Sequence, residues 1–208
     1  AQIPPPLLDI MGWSSAEVSK VGVPTYPCLI DEKHIVAELY NMVNVPTAVW
    51  INEEGQIVRP PEPAGMTDAL RDIDPATFQM PEHAAARVKH NRKMYVDAVR
   101  DWVQKGDKSS YVLSPEAVRR RMQGPTDEQA LAAANFRLGE YLYQQGHQQD
   151  ARHYFAEAHR LRPESWNYFR QDLELQEVGK ASGPEFFAEV MALGDKLYYP
   201  RIDMTGMR

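Results

Sequence analysis

The apolar positions of this chain follow two rhythms, and the change comes near residue 74. Residues 1–12 are proline-rich and read as an extended arm or linker. Ser14-Ser15-Ala16-Glu17 has the form of a capping box and predicts a short helix that ends near Gly22. "TYPCLID" (25–31) reads as a short strand. In "EKHIVAELYNMV" (32–43), Ile35, Val36, Leu39, Tyr40 and Val43 fall at helical spacing and predict an amphipathic helix. Val45-Pro46-Thr47 then leads into an apolar strand, "AVWIN" (48–52). Glu54-Gly55 makes a tight turn and "QIV" (56–58) a return strand, which "RPPEPAG" (59–65) is expected to stop.

Beyond residue 74 the period is helical almost throughout. Residues 81–106 read as one long helix with Val88, Asn91, Tyr95, Val99 and Trp102 on its buried side. Ser114-Pro115-Glu116 supplies an N-cap and a first-turn proline for a shorter helix ending at Gly124. From Thr126 the pattern stays helical nearly to Tyr198, broken at Gly146, at Pro163 and over 179–184.

Composition and charge narrow the classes. The 208 residues carry 43% hydrophobic and 25% charged residues, the profile of a globular protein large enough for one domain or two small ones. With 23 Lys+Arg, a net charge of −6 and no basic stripe, nucleic acid is not an expected partner. Arg119-Arg120-Arg121 reads as a solvated helix face. No run of 18 apolar residues predicts a membrane span, and "AQIPPPLLDIMG" lacks the form of a signal peptide, which favours a soluble, cytoplasmic setting. The single cysteine, Cys28, cannot form an intrachain disulfide, a Cys-x-x-Cys pair or a zinc site. Among Tyr26, Leu29 and Ile30 it reads as a small buried hydrophobe, with a reactive thiol as the other reading. His147, His153 and His159 recur every six residues, do not share a helical face, and read as exposed. Glu53 and Glu54 pair two carboxylates on a hairpin turn, where solvation is expected. No metal and no cofactor is expected, and no Gly-x-Ser-x-Gly, His-Glu-x-x-His or phosphate-cradling glycine loop points to a hydrolase.

"NFRLGEYLYQQGHQQDARHYFAEAHRLRP" (135–163) resembles a tetratricopeptide repeat. Leu138-Gly139, Ala151, Phe155, Ala158 and Pro163 match the pattern at its offsets. Asn135 and Leu142 replace its Trp and Tyr, and Gly146 falls at the turn. The resemblance implies two antiparallel helices that cross closely at Gly139 and Ala158, with Phe155 and Leu161 filling the groove. Thr126-x-x-Gln129 would cap the first of them. In the following segment Leu173 stands where a second copy would place its glycine, so that segment resembles a capping helix. Arrays of this kind need about three repeats to stand alone, so this one must dock on something, and the long helix over 82–105 is the nearest candidate.

Residues 14–72 resemble the C-terminal part of a thioredoxin fold, nearest to TlpA/ResA-like and AhpC-type redoxins. The resemblance rests on the order helix, Val45-Pro46-Thr47, apolar strand, acidic-glycine turn, strand. It implies a cis Val45–Pro46 bond and an exposed backbone at Val45 for strand-like pairing. The family's dithiol motif has no matching position here, so its thiol chemistry is not carried onto this chain.

The expected fold is α/β plus all-α: a partial thioredoxin-like domain over 1–76, a helical connector over 77–124 and a TPR-like helical domain over 125–208. Two histories remain open: the C-terminal piece of a longer redoxin, or a remnant that lost catalysis and kept its scaffold. Two functions follow. One is a redox-family protein joined to a TPR-like interaction module, inactive as this chain alone; the other is a non-catalytic interaction scaffold. Either leaves the 48–52 strand with an edge to cover, by a protein partner such as a separate N-terminal redoxin fragment, by a second copy or by the chain's own proline-rich arm, or else by the long helix over 82–105. A peptide at the helical domain is a further candidate partner.

Overall fold

The computed structural model describes residues 26–27, 29–31, 33–74, 77, 79–122 and 124–207. The chain divides into two compact units between Leu39 and Tyr40. Among the described residues there are seven α-helices and one two-stranded antiparallel sheet.

In the first unit the helical pattern of 32–43 yields only α1 (Ile35–Leu39). The expected longer helix is corrected, and the physical reason lies at its end. Asn41 adopts φ 54, a left-handed conformation that stops helix propagation. Ile35, Val36 and Leu39 are exposed rather than buried. The expected strand at 25–31 is also corrected: its described residues are not in a strand, and Leu29 is 89% exposed. Pro27 has no N–H to give a ladder. The expected N-terminal arm, the helix at 14–22 and Cys28 lie outside the described residues.

In the second unit β1 (Thr47–Ile51) pairs with β2 (Ile57–Pro63). The Val45–Pro46 bond before β1 is cis, as the resemblance implied. "RPPEPAG" does not stop the return strand: β2 runs through Pro60, Pro61 and Pro63. Bulges explain the tolerance. Ala48 to Trp50 is two steps, against three from Glu62 to Arg59; Trp50 to Ile51 is one, against two from Arg59 to Ile57. Each bulge leaves a residue of β2 unpaired, and β2 pairs with β1 alone among the described residues, so a missing N–H is tolerated.

The long helix α2 (Glu82–Lys105) buries Ala84, Asn91, Tyr95 and Ala98 and half-buries Val88, Val99 and Trp102. It lies against the sheet. Trp102 stacks on Trp50 with ring centroids 5.0 Å apart, and Tyr95 meets the same indole edge-on at 5.9 Å. Gly65 makes the close approach possible. It sits at φ +72, and a Cβ there would lie 3.0 Å from both Arg92 Cα and Tyr95 Cβ.

The helix α3 (Pro115–Arg121) starts at Ser114, whose hydroxyl accepts from Ala117 N, and ends before Met122. The α4 helix (Asp127–Gln144) carries the expected capping box, with Thr126 and Gln129 bonded reciprocally. Three residues then turn the chain back into α5 (Gln148–Leu161). Two further helices, α6 (Trp166–Gln176) and α7 (Pro184–Met191), enclose an aromatic cluster of Trp166, Phe186, Tyr198 and Tyr199 with Leu173 and Val190.

Candidate functional site

Two places gather the residues singled out in the sequence. The first is the proline loop, 41–47. Asn44 is buried and acts as its internal brace: Oδ1 accepts from Val45 N at 2.9 Å, and Nδ2 donates to Tyr198 O at 3.1 Å. Thr47 Oγ1 donates back to Asn44 O at 2.6 Å. The Tyr199 hydroxyl donates to Val45 O at 2.5 Å. On the preceding residues, Asn167 of α6 donates from N to Val43 O at 3.1 Å and from Nδ2 to Met42 O at 2.8 Å. The Arg162 guanidinium reaches Asn41 Oδ1.

These bonds correct the expected exposure of the Val45 backbone. The residue is 50% exposed, but its N–H and C=O both have partners within the chain. Between this loop and β2 lies a cleft of about 60 Å³, bordered by Pro61, Pro63, Tyr199 and Pro200. Burial, with the neighbouring Tyr198 hydroxyl, pushes the Tyr199 phenol above its ordinary value of 10.

A polar knot stands behind the loop. Arg59 is 1% exposed, and its guanidinium lies 5.5 Å from the centre of the Trp50 ring. It forms a two-pronged pair with Glu62, both bonds at 2.8 Å. It also donates to Tyr111 O at 2.8 Å and to Asp203 O at 3.3 Å. Trp50 Nε1 donates to the Tyr95 hydroxyl at 2.8 Å. Burial first, and then the Glu62 carboxylate, hold the Tyr95 phenol well above 10. The buried guanidinium is thus paired and further hydrogen-bonded, which its desolvation requires.

The second place is the α4–α5 crossing. Ala132, Phe136, Ala151, Phe155 and Ala158 form one buried cluster with Tyr168 of α6. Gly139 is where the helices come nearest. A Cβ added there would lie 2.6 Å from the Phe155 ring and 3.2 Å from Ala151 O. The ring cannot swing away freely, because Phe136 packs at 5.4 Å from it and itself stacks on Tyr168 at 4.2 Å. Of the residues the repeat pattern names, Gly139, Ala151, Phe155 and Ala158 meet here, while Leu138 and Pro163 face outward. Leu131, Leu138 and Tyr141 leave an exposed apolar stripe on α4.

His147 and His153 are exposed as expected; His159 is half-buried and stacks on Phe169 at 4.9 Å. Glu53 and Glu54 are solvated. Arg119 and Arg120 are exposed, while Arg121 pairs with Asp203 at 2.5 Å. Among the described residues no three His, Cys, Asp or Glu are grouped as metal ligands, and no helix is long and apolar enough to cross a membrane. The sequence reading missed Arg59, Asn44, Asn167 and Tyr199. Only two signals pointed to them: the Arg-x-x-Glu spacing at 59–62 and the Tyr-Tyr-Pro run at 198–200.

No protein-family model matches this chain, and no curated protein or solved structure matches it.

Proposed function

We propose that the chain is a thioredoxin-family redox protein, or the C-terminal portion of one, joined to a TPR-like interaction module. In this reading its own residues hold protein rather than exchange disulfides. The observation that carries it is the α4–α5 hairpin: a glycine-seated crossing that fixes two helices and leaves Leu131, Leu138 and Tyr141 as an apolar stripe on one of them. The order of Val45-Pro46-Thr47, strand, turn and strand supports the redoxin part. Cys28 is the only thiol, and one thiol cannot resolve its own mixed disulfide by the two-thiol route.

A non-catalytic scaffold is the second reading, and the Val45 bonds favour it. With N–H and C=O both engaged, that residue offers a substrate strand no free backbone group. Among the described residues β1 pairs only with β2, while α2 covers a face of the sheet through Trp50. The other edge of β1 is then the place for a protein partner or a second copy.

An insulin-reduction assay and light scattering test these readings. The isolated chain is expected to give no dithiol-like turnover; turnover abolished by Cys28→Ser would overturn both. Scattering at twice the 23.7 kDa chain mass would support a second copy as the cover of the β1 edge, and a monomer would exclude it. The double variant Leu138→Glu, Tyr141→Glu should fold normally and lose partner binding. Unchanged binding would remove the interaction role from the helical hairpin.

A further inference from the structure

A larger cavity, of about 380 Å³, lies between α2, the 66–68 segment and the C-terminal tail. That volume is in the range of small-molecule sites. Met66, Leu197, Ile202 and Met207 give it apolar walls, and Asn91, 3% exposed, borders it from α2. The charges around it are unequally matched. Asp68 is already satisfied: its Oδ1 accepts from Tyr198 N at 2.7 Å and Tyr199 N at 3.1 Å, and its Oδ2 faces Arg71 at 3.4 Å. Arg87 is paired with Asp72 at 2.6 Å. Arg201 lines the cavity, yet among the described residues it has no carboxylate within ion-pair distance. Arg92 stands outside the lining, with its guanidinium 3.4 Å from the thioether sulfur of Met66.

The chain as a whole is acidic, at −6, so an uncompensated guanidinium lining a cavity with apolar walls is a local feature and not a general background. We infer that this cavity binds a small amphiphilic anion: a carboxylate head held by Arg201, with an aliphatic body against Met66, Leu197 and Ile202. Guanidinium suits the head because its planar fork matches a carboxylate with two parallel bonds. The aliphatic body would bury against surface that is otherwise wetted. This site does not depend on the proposed redoxin or interaction roles.

Sodium octanoate is the probe, followed by calorimetry and by amide chemical shifts on the full chain. Saturable binding is expected, with shifts at Asn91, Ile202 and Met207. Acetate, which lacks the body, and 1-octanol, which lacks the charge, should each bind at least tenfold more weakly. Arg201→Gln should weaken octanoate at least tenfold while leaving the melting temperature unchanged, because Arg201 is exposed. No saturable octanoate binding at about 10 mM, equal binding of 1-octanol or acetate, or unchanged affinity in Arg201→Gln would overturn the inference.

Discussion

The β1–β2 hairpin with α2, and the α4–α5 hairpin, are held by different means. In the first, the decisive contacts are polar and join distant parts of the chain. Arg59 meets Tyr111 and Asp203, the latter 144 residues away, and Trp50 donates to Tyr95 across 45 residues. In the second, contacts are apolar and close in sequence: Gly139, Ala151 and Phe155 lie within two neighbouring helices. The first region is therefore a tie among segments that no local pattern brings together. The second follows from helical periodicity and small residues at a crossing.

The largest test of this contrast is Arg59→Met. It removes the buried partner of Glu62 and should destabilise by about 3–5 kcal/mol in a urea titration. A loss under about 1 kcal/mol would show that the knot is dispensable. Gly139→Leu probes the other region. Overpacking against Phe155 should cost about 3 kcal/mol, and an unchanged melt would remove the close crossing. Tyr95→Phe should cost about 1–3 kcal/mol, because Trp50 Nε1 loses its acceptor inside the core.

The pH dependence sharpens the comparison further. Burial raises the phenols of Tyr95 and Tyr199 above their ordinary value of 10. A raised phenol holds its proton more tightly in the folded protein. Its contribution is present below pH 10 and is lost as the pH rises above it. By pH 11 the loss should reach about 1 kcal/mol for each of the two. Both lie outside the α4–α5 cluster. Tyr95→Phe should flatten this alkaline slope; an unchanged slope would exclude Tyr95 as a cause. The smallest expected effect is at Thr126→Ala, which opens the capping box of α4 at a cost of about 1 kcal/mol by thermal melting.

The same contrast explains what could be read from the sequence. The capping box at Thr126, the N-cap at Ser114, the stripe Asn91–Tyr95–Trp102 and the crossing at Gly139 were legible because each repeats at a local period. The helix expected over 32–43 is bounded by left-handed His34 and Asn41, and its apolar residues Ile35, Val36 and Leu39 are exposed, neither of which spacing reveals. "RPPEPAG" does not stop the strand, although prolines usually signal a strand end, because Pro60 and Pro61 fall in a bulge and Pro63 pairs with Thr47 at the strand's last residue. The Arg-x-x-Glu spacing at 59–62 and the Tyr-Tyr-Pro run at 198–200 do not by themselves say that Arg59 and Tyr199 are buried, because Tyr111, Asp203 and Val45, which complete their bonds, come from distant segments.

The most direct measurement on the central claim, that the α4 stripe holds protein, is site-specific photo-crosslinking. A photoreactive residue replaces Tyr141 on the stripe, and in a parallel variant it replaces Arg152 on the exposed side of α5. The account predicts a discrete protein adduct from position 141 and none from position 152. No adduct at 141, or the same adducts from both positions, would contradict it.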